Sequence, residues 1–216
     1  MNAAVMVRGE GQARALPDRA VVNVAVEGEG GSRDDAYREA AALARAVDEV
    51  VARFGDAIDT AATAVLLVHP KTRWRKGENV RTGWHASRST VLEVTAFGDL
   101  GELIAELSAA GASLAGPFWQ LDPDNPAYNR ARRLAAEDAR RRADAYTSAL
   151  GLEVGSVQWV AEPGLRREGP GEVHMEMAAA AGGASTRGAP EVIDVAPDEM
   201  PIRVTVEVSF SIEPAG

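Results

Sequence analysis

The stretch Ile202-Arg203-Val204-Thr205-Val206-Glu207-Val208-Ser209-Phe210-Ser211-Ile212 alternates apolar and polar side chains without a slip. Successive side chains of an extended strand point to opposite faces, so a period of two predicts a half-buried β-strand. The other end of the chain carries a related pattern in Val5-Met6-Val7-Arg8-Gly9-Glu10-Gly11, and Val22, Val24 and Val26 again share one face. Pro17-Asp18 lies between these two segments. Proline pre-sets φ and aspartate bonds the backbone beyond it, so the pair reads as a turn and predicts an opening antiparallel hairpin.

Helices are expected between these β-rich ends. Ser32 stands three residues before Asp35 as an N-cap pair, and Ala36, Ala40, Leu43, Val47, Val50 and Phe54 recur at helical spacing until Gly55. Ala62 to His69 and Ala86 to Ala96 are strand candidates joined by a basic, glycine-containing loop from Pro70 to Gly83. Asp99 with Glu102 makes a second capping pair for a helix ending at Gly111, and Pro117 to Leu121 reads as a short strand. Asn125-Pro126 opens a third helix, since the N–H that proline lacks would have no helical partner there. Tyr128, Ala131, Ala135, Ala139, Ala143, Tyr146 and Leu150 fall on one side of that helix, where small alanines let it lie close to a sheet.

Ser156 to Ala161 is a further strand, and from Pro163 to Pro197 the chain turns rich in Gly, Pro and Ala and loses its periodicity, which predicts a mobile insertion. The expected class is α+β: a largely antiparallel sheet packed by about three α-helices, with a long flexible loop before the C-terminal strand. Residues 1–216 are read as one domain, with 163–197 as its insertion. Two successive units of a strand pair followed by a helix hint at an internal repeat.

The chain has 216 residues and no cysteine, which removes disulfides, thiolate metal sites and cysteine nucleophiles. No basic segment followed by an apolar one opens the chain, and no stretch approaches the roughly 20 apolar residues of a membrane span, so a cytoplasmic protein without a membrane span is expected. The net charge of −9 opposes non-specific attraction to nucleic acid or anionic lipid. Lys71 and Lys76 are the only lysines, every other basic residue being arginine, a bias that reads as genomic base composition.

Four features in order resemble the SIMPL-domain family: Val5-x-Val7-x-Gly9-x-Gly11 with Pro17-Asp18-x-Ala20; Gly83-Trp84-x-Ala86 entering the strand that ends near Val94; the alanine-spaced third helix ending in Leu150-Gly151; and Val204-x-Val206-x-Val208-x-Phe210. The resemblance covers nearly the whole chain. It implies an α+β domain that self-associates into rings or larger oligomers, with links to oxidative-stress resistance and signalling, and it transfers no catalytic residue and no cofactor. Bacterial relatives usually carry a signal peptide, which this sequence does not show.

Candidate chemistry is sparse. His69 and His85 flank the loop of the second hairpin and, with a carboxylate such as Glu78, would supply donors for a divalent metal, although the spacing matches no ligand motif; ordinary strand-end histidines are the simpler reading. Lys71, Arg73, Trp74, Arg75, Lys76, Arg81 and Trp84 form the one dense basic and aromatic cluster. Such groups neutralise phosphates and stack bases, but in an acidic chain a protein contact is the better expectation. Gly9, Gly11, Gly28, Gly30 and Gly31 lack the parallel strand-turn-helix setting of a phosphate loop and read as turn glycines. No serine lies in a Gly-x-Ser-x-Gly elbow. His174-Met175-Glu176-Met177 in the insertion would suit docking on a neighbouring subunit.

The expectation is therefore a non-enzymatic, self-associating binding or scaffold protein with no catalytic, cofactor or metal residues. Arg73, Trp74, Trp84 and His85 are its candidate interaction surface, and the partners expected are further copies of the chain or another protein. The alternative is an enzyme or small-ligand protein with a cleft near Trp84 and His85.

Overall fold

The computed structural model describes residues 3–75, 77–163 and 195–215. Most of the 163–197 insertion, the His174 to Met177 group and Lys76 lie outside them. The described residues form two compact units. The fold is α+β, with antiparallel sheets of three and four strands and three α-helices among the described residues.

The first unit contains β1 (Ala4–Ala15), α3 (Pro126–Ala149), β6 (Leu152–Ala161) and β7 (Met200–Pro214). Its sheet runs β1-β7-β6, all antiparallel, so the alternating terminal strand is the central one. Val208 and Phe210 are buried with Val7 against Ala139 and Ala143 of α3. On the opposite parity Glu207 pairs with Arg8 at 2.8 Å. Ser209 departs from a simple inside-outside pattern: it is buried, and its hydroxyl donates to Gln158 at 3.1 Å, which satisfies the polar atom.

The second unit contains β2 (Arg19–Gly30), α1 (Arg33–Arg53), β3 (Ile58–Arg75), β4 (Glu78–Val94), α2 (Leu100–Ala109) and β5 (Ser113–Gln120). The strand order is β3-β4-β2-β5. Ala20, Val22, Val24 and Val26 of β2 and Leu92 and Val94 of β4 are buried beneath α1 and α2, with Leu100, Leu103 and Leu107 closing the core. Ser32 caps α1 by accepting from the Asp35 N–H. Asn125 caps α3 by accepting from the Ala127 N–H, with Pro126 at the start of the helix.

Several local expectations are corrected. Pro17-Asp18 does join the first two strands, but among the described residues they share no ladder: β1 pairs with β7, and β2 with β4 and β5. Asp99 makes no side-chain cap of α2, which is preceded instead by a 3-10 turn over Phe97–Asp99. Tyr146 and Leu150 are exposed, and the buried stripe of α3 ends at Thr147, whose hydroxyl donates to the Ala143 carbonyl at 3.0 Å.

Of the five glycines read as turn residues, Gly31 does lie in the bend between β2 and α1, and the other four are corrected sharply. Gly9 and Gly11 lie inside β1, and a Cβ on them would fall 2.1 Å from the Ala135 carbonyl oxygen and 2.0 Å from that of Ala131. Gly28 and Gly30 lie inside β2, where added Cβ atoms would meet the Ala36 carbonyl oxygen at 2.5 Å and the Ala36 nitrogen at 2.6 Å. Glycine is required in each strand because a helix backbone approaches it.

The two units share a plan. β1-α3-β6-β7 and β2-α1-β3-β4 are both β-α-β-β, with the last strand pairing between the other two. Val7-Arg8-Gly9-Glu10-Gly11 corresponds to Val26-Glu27-Gly28-Glu29-Gly30, and Ala135-x-x-Asp138-Ala139 to Ala36-x-x-Glu39-Ala40. In each, the central glutamate N–H of the strand donates to the helix carboxylate: Glu10 to Asp138 at 3.0 Å, Glu29 to Glu39 at 2.7 Å. The repeat is therefore framed differently from the expected strand-pair-then-helix units.

Candidate functional site

The second hairpin carries the candidate residues. The expected loop from Pro70 to Gly83 is itself a ladder: Lys71 pairs with Gly83, Arg73 with Val80, Trp74 with Asn79 and Arg75 with Glu78, and the chain reverses at Gly77, whose φ is +91°. Basic composition concealed these strands, because strand formation here depends on the opposing strand rather than on intrinsic preference. β2 reaches only Gly30, opposite Trp84, so beyond that row the hairpin continues as a two-stranded ribbon.

Trp84 roots this ribbon. It packs with Val68 against Ala36, Ala40 and Ala86, and the Arg81 guanidinium stands 5.7 Å from its ring centroid. Lys71 donates to both oxygens of Glu29 at 2.6 and 2.7 Å, a bridge from the ribbon to the end of β2. That hydrogen bond, aided by the lysine charge, holds the Glu29 carboxyl below the usual carboxylate range. Glu29, Gly30, Lys71, Arg73 and Trp84 line a cleft of about 470 Å³. His85, next along β4, projects to the other face of the strand and does not line it.

His69 and His85 are direct cross-strand partners, with ring centroids 5.0 Å apart and planes at 49°. His85 Nε2 lies 3.4 Å from a Glu27 carboxylate oxygen, while its buried Nδ1 has no hydrogen-bond partner among the described residues. Glu78 sits near the reversal, paired with Arg75, so the trio of His69, His85 and Glu78 is not assembled. Among the described residues no group of three His, Cys, Asp or Glu is placed to hold a metal ion.

Of the four candidate residues, Arg73 and Trp84 thus share one cleft, His85 joins a histidine pair on the face of β4 opposite to Trp84 and outside the cleft lining, and Trp74 stands 66% exposed on the ribbon. Sequence reading missed the edge strand beside them. β3 is an outer strand of 18 residues, and Val65, Leu66 and Leu67 along it are 45%, 58% and 52% exposed. The consecutive apolar run was the available signal, since a strand with one covered face would have alternated.

Paired β-α-β-β units with glycines seated on alanine helices define a two-unit α+β protein. A family model described as SIMPL, a protein of unknown function (DUF541), matches residues 5–210, and the chain belongs to that family. No curated protein matches the chain. A solved structure described as an unknown protein from Galdieria sulphuraria is similar at 17% identity over 48% of this chain and 51% of that one, with a TM-score of 0.27. No helix among the described residues is long and apolar enough to cross a membrane.

Proposed function

We propose that this chain is a self-associating binding protein that acts through surfaces rather than a reaction centre. The observation that carries the reading is the exposed outer strand β3, whose three consecutive apolar residues remain in water on both faces of the sheet edge. An outer strand presents a row of unpaired backbone donors and acceptors, so a long apolar one favours pairing with another chain. The family resemblance supports the same reading and is the sole support for a scaffold role in stress response or signalling. Residues 1–216 are taken as one functional domain, consistent with a single family model that spans both units.

The test is multi-angle light scattering on the purified chain from micromolar to near-millimolar concentration. A mass that rises above 22.7 kDa supports the proposal, and a constant monomer mass overturns it. The alternative, a small-ligand protein, is favoured by the 470 Å³ cleft that Arg73 and Trp84 line. Ligand-induced protection of Trp84 fluorescence in a monomeric sample would promote it.

A further inference from the structure

We infer that two copies of this chain pair antiparallel, about a two-fold axis, along the outer edge of β3. This deepens the self-association reading and rests on it. The argument begins with the order of side chains along the strand. Asp59 lies at its start, Val65, Leu66 and Leu67 in the middle, and Arg73 and Arg75 at its end, all of them exposed. A strand that runs from acid through apolar to base is complementary to itself when reversed. Antiparallel pairing brings Asp59 of each copy alongside Arg75 and, diagonally, Arg73 of the other and superposes the apolar centres. Parallel pairing would place like charges together, which is unfavourable across strands. Lys71 is already held by Glu29 of its own chain, so the cations that a second copy meets are Arg73 and Arg75, and Asp59 of that copy is their acidic complement.

The backbone narrows the register. The ladder with β4 is irregular between Ile58 and Thr60, between Thr63 and Val65 and between Lys71 and Thr72, and Pro70 has no N–H to donate. The longest regular stretch between these interruptions is Val65–His69, whose midpoint is Leu67. Centring the axis there sets Leu67 against its own copy, Val65 against His69 and Leu66 against Val68. Leu66 and Val68 share the α1 side of the sheet, where Leu66 borders a hollow of about 200 Å³ lined also by Tyr37, Ala41 and Ala44. In this register Val68 of the second copy stands beside Leu66 at that hollow, and apolar surface on both copies leaves water together.

The experiment uses the full-length chain and sedimentation equilibrium. Asp59→Arg alone, and Arg73→Glu with Arg75→Glu, each weaken association by roughly tenfold, because like charges then face each other across the pairing. Mixing the two variants in equal amounts restores wild-type affinity. The new cation at position 59 of one copy then meets the new carboxylates at positions 73 and 75 of the other, while the native charges meet on the second side. The chain has no cysteine, so Leu67→Cys also gives a disulfide dimer on mild oxidation, while Met6→Cys, at an exposed site on β1, does not. Association that is unchanged in both charge variants, or weakened in each and not restored on mixing, overturns the two-fold edge pairing while leaving self-association standing. A wild-type chain that is monomeric throughout overturns both readings.

Discussion

A Cβ added to Gly9 would lie 2.1 Å from the carbonyl oxygen of Ala135, and one added to Gly28 would lie 2.5 Å from that of Ala36. Neither distance can be tolerated, so β1 and α3 in one unit, and β2 and α1 in the other, are in contact only because the strand has no side chain there. The alanine stripes are the other half of the same arrangement: a larger residue at Ala135 or Ala36 would hold the helix away.

Gly9→Ala and Gly28→Ala therefore each destabilise by about 3 kcal/mol or more, above the usual cost of overpacking, because backbone rather than a flexible side chain is struck. Gly31→Ala, where nothing lies within 4 Å, is the control and stays near neutral. Urea unfolding followed by circular dichroism measures all three. Equal midpoints for Gly28→Ala and Gly31→Ala would refute the close approach.

Trp84→Ala and Trp74→Ala separate structure from surface. Trp84 packs on Ala36, Ala40 and Ala86, so its removal costs about 2 kcal/mol of stability through lost apolar contact. Trp74 is 66% exposed, and its removal leaves the unfolding midpoint unchanged. Thermal and urea unfolding check both, and loss of stability at Trp74 comparable to that at Trp84 would show that the ribbon packs differently.

What was legible in the chain follows from how far each signal reaches. Alternation placed Val208 and Phe210 on one face of β7, and helical spacing placed Ala36, Val47 and Val50 on one face of α1, because both patterns are local. Pairing is not local: Val7 lies opposite Val208, and the intervening unit of residues 17–122 is inserted between β1 and α3, so the tight connection at Pro17-Asp18 suggested a hairpin that does not form. Glycines two apart on one strand face carried a signal of close helix approach, but glycine also marks turns, and only the partner helix distinguishes the two. For the candidate surface, residue types singled out Arg73, Trp74, Trp84 and His85, while the strand character of residues 70–83 and the direct pairing of His69 with His85 required the ladder between β3 and β4.

The acid limb of stability tests the bond between the Glu10 N–H and Asp138. That backbone donor, with Arg142 and Arg141 adding hydrogen bonds and charge, holds the Asp138 carboxyl below the usual carboxylate range against an opposing effect of burial. A carboxyl whose folded pKa is depressed stabilises the fold fully above its unfolded pKa, about 3.9 for aspartate, and loses that contribution as pH falls toward the folded value. Asp138→Asn removes the charge and so flattens the decline of stability below about pH 4 while lowering stability at neutral pH. It also keeps an amide oxygen that accepts from the Glu10 N–H, whereas Asp138→Ala leaves that donor without its side-chain acceptor and costs about 1–3 kcal/mol at neutral pH. Urea midpoints from pH 7 to pH 3 for the wild type and both variants check the argument. An acid limb in Asp138→Asn as steep as that of the wild type would assign the titration to other carboxylates, with Glu29 and Asp35, both also held low by hydrogen bonds, the next to replace.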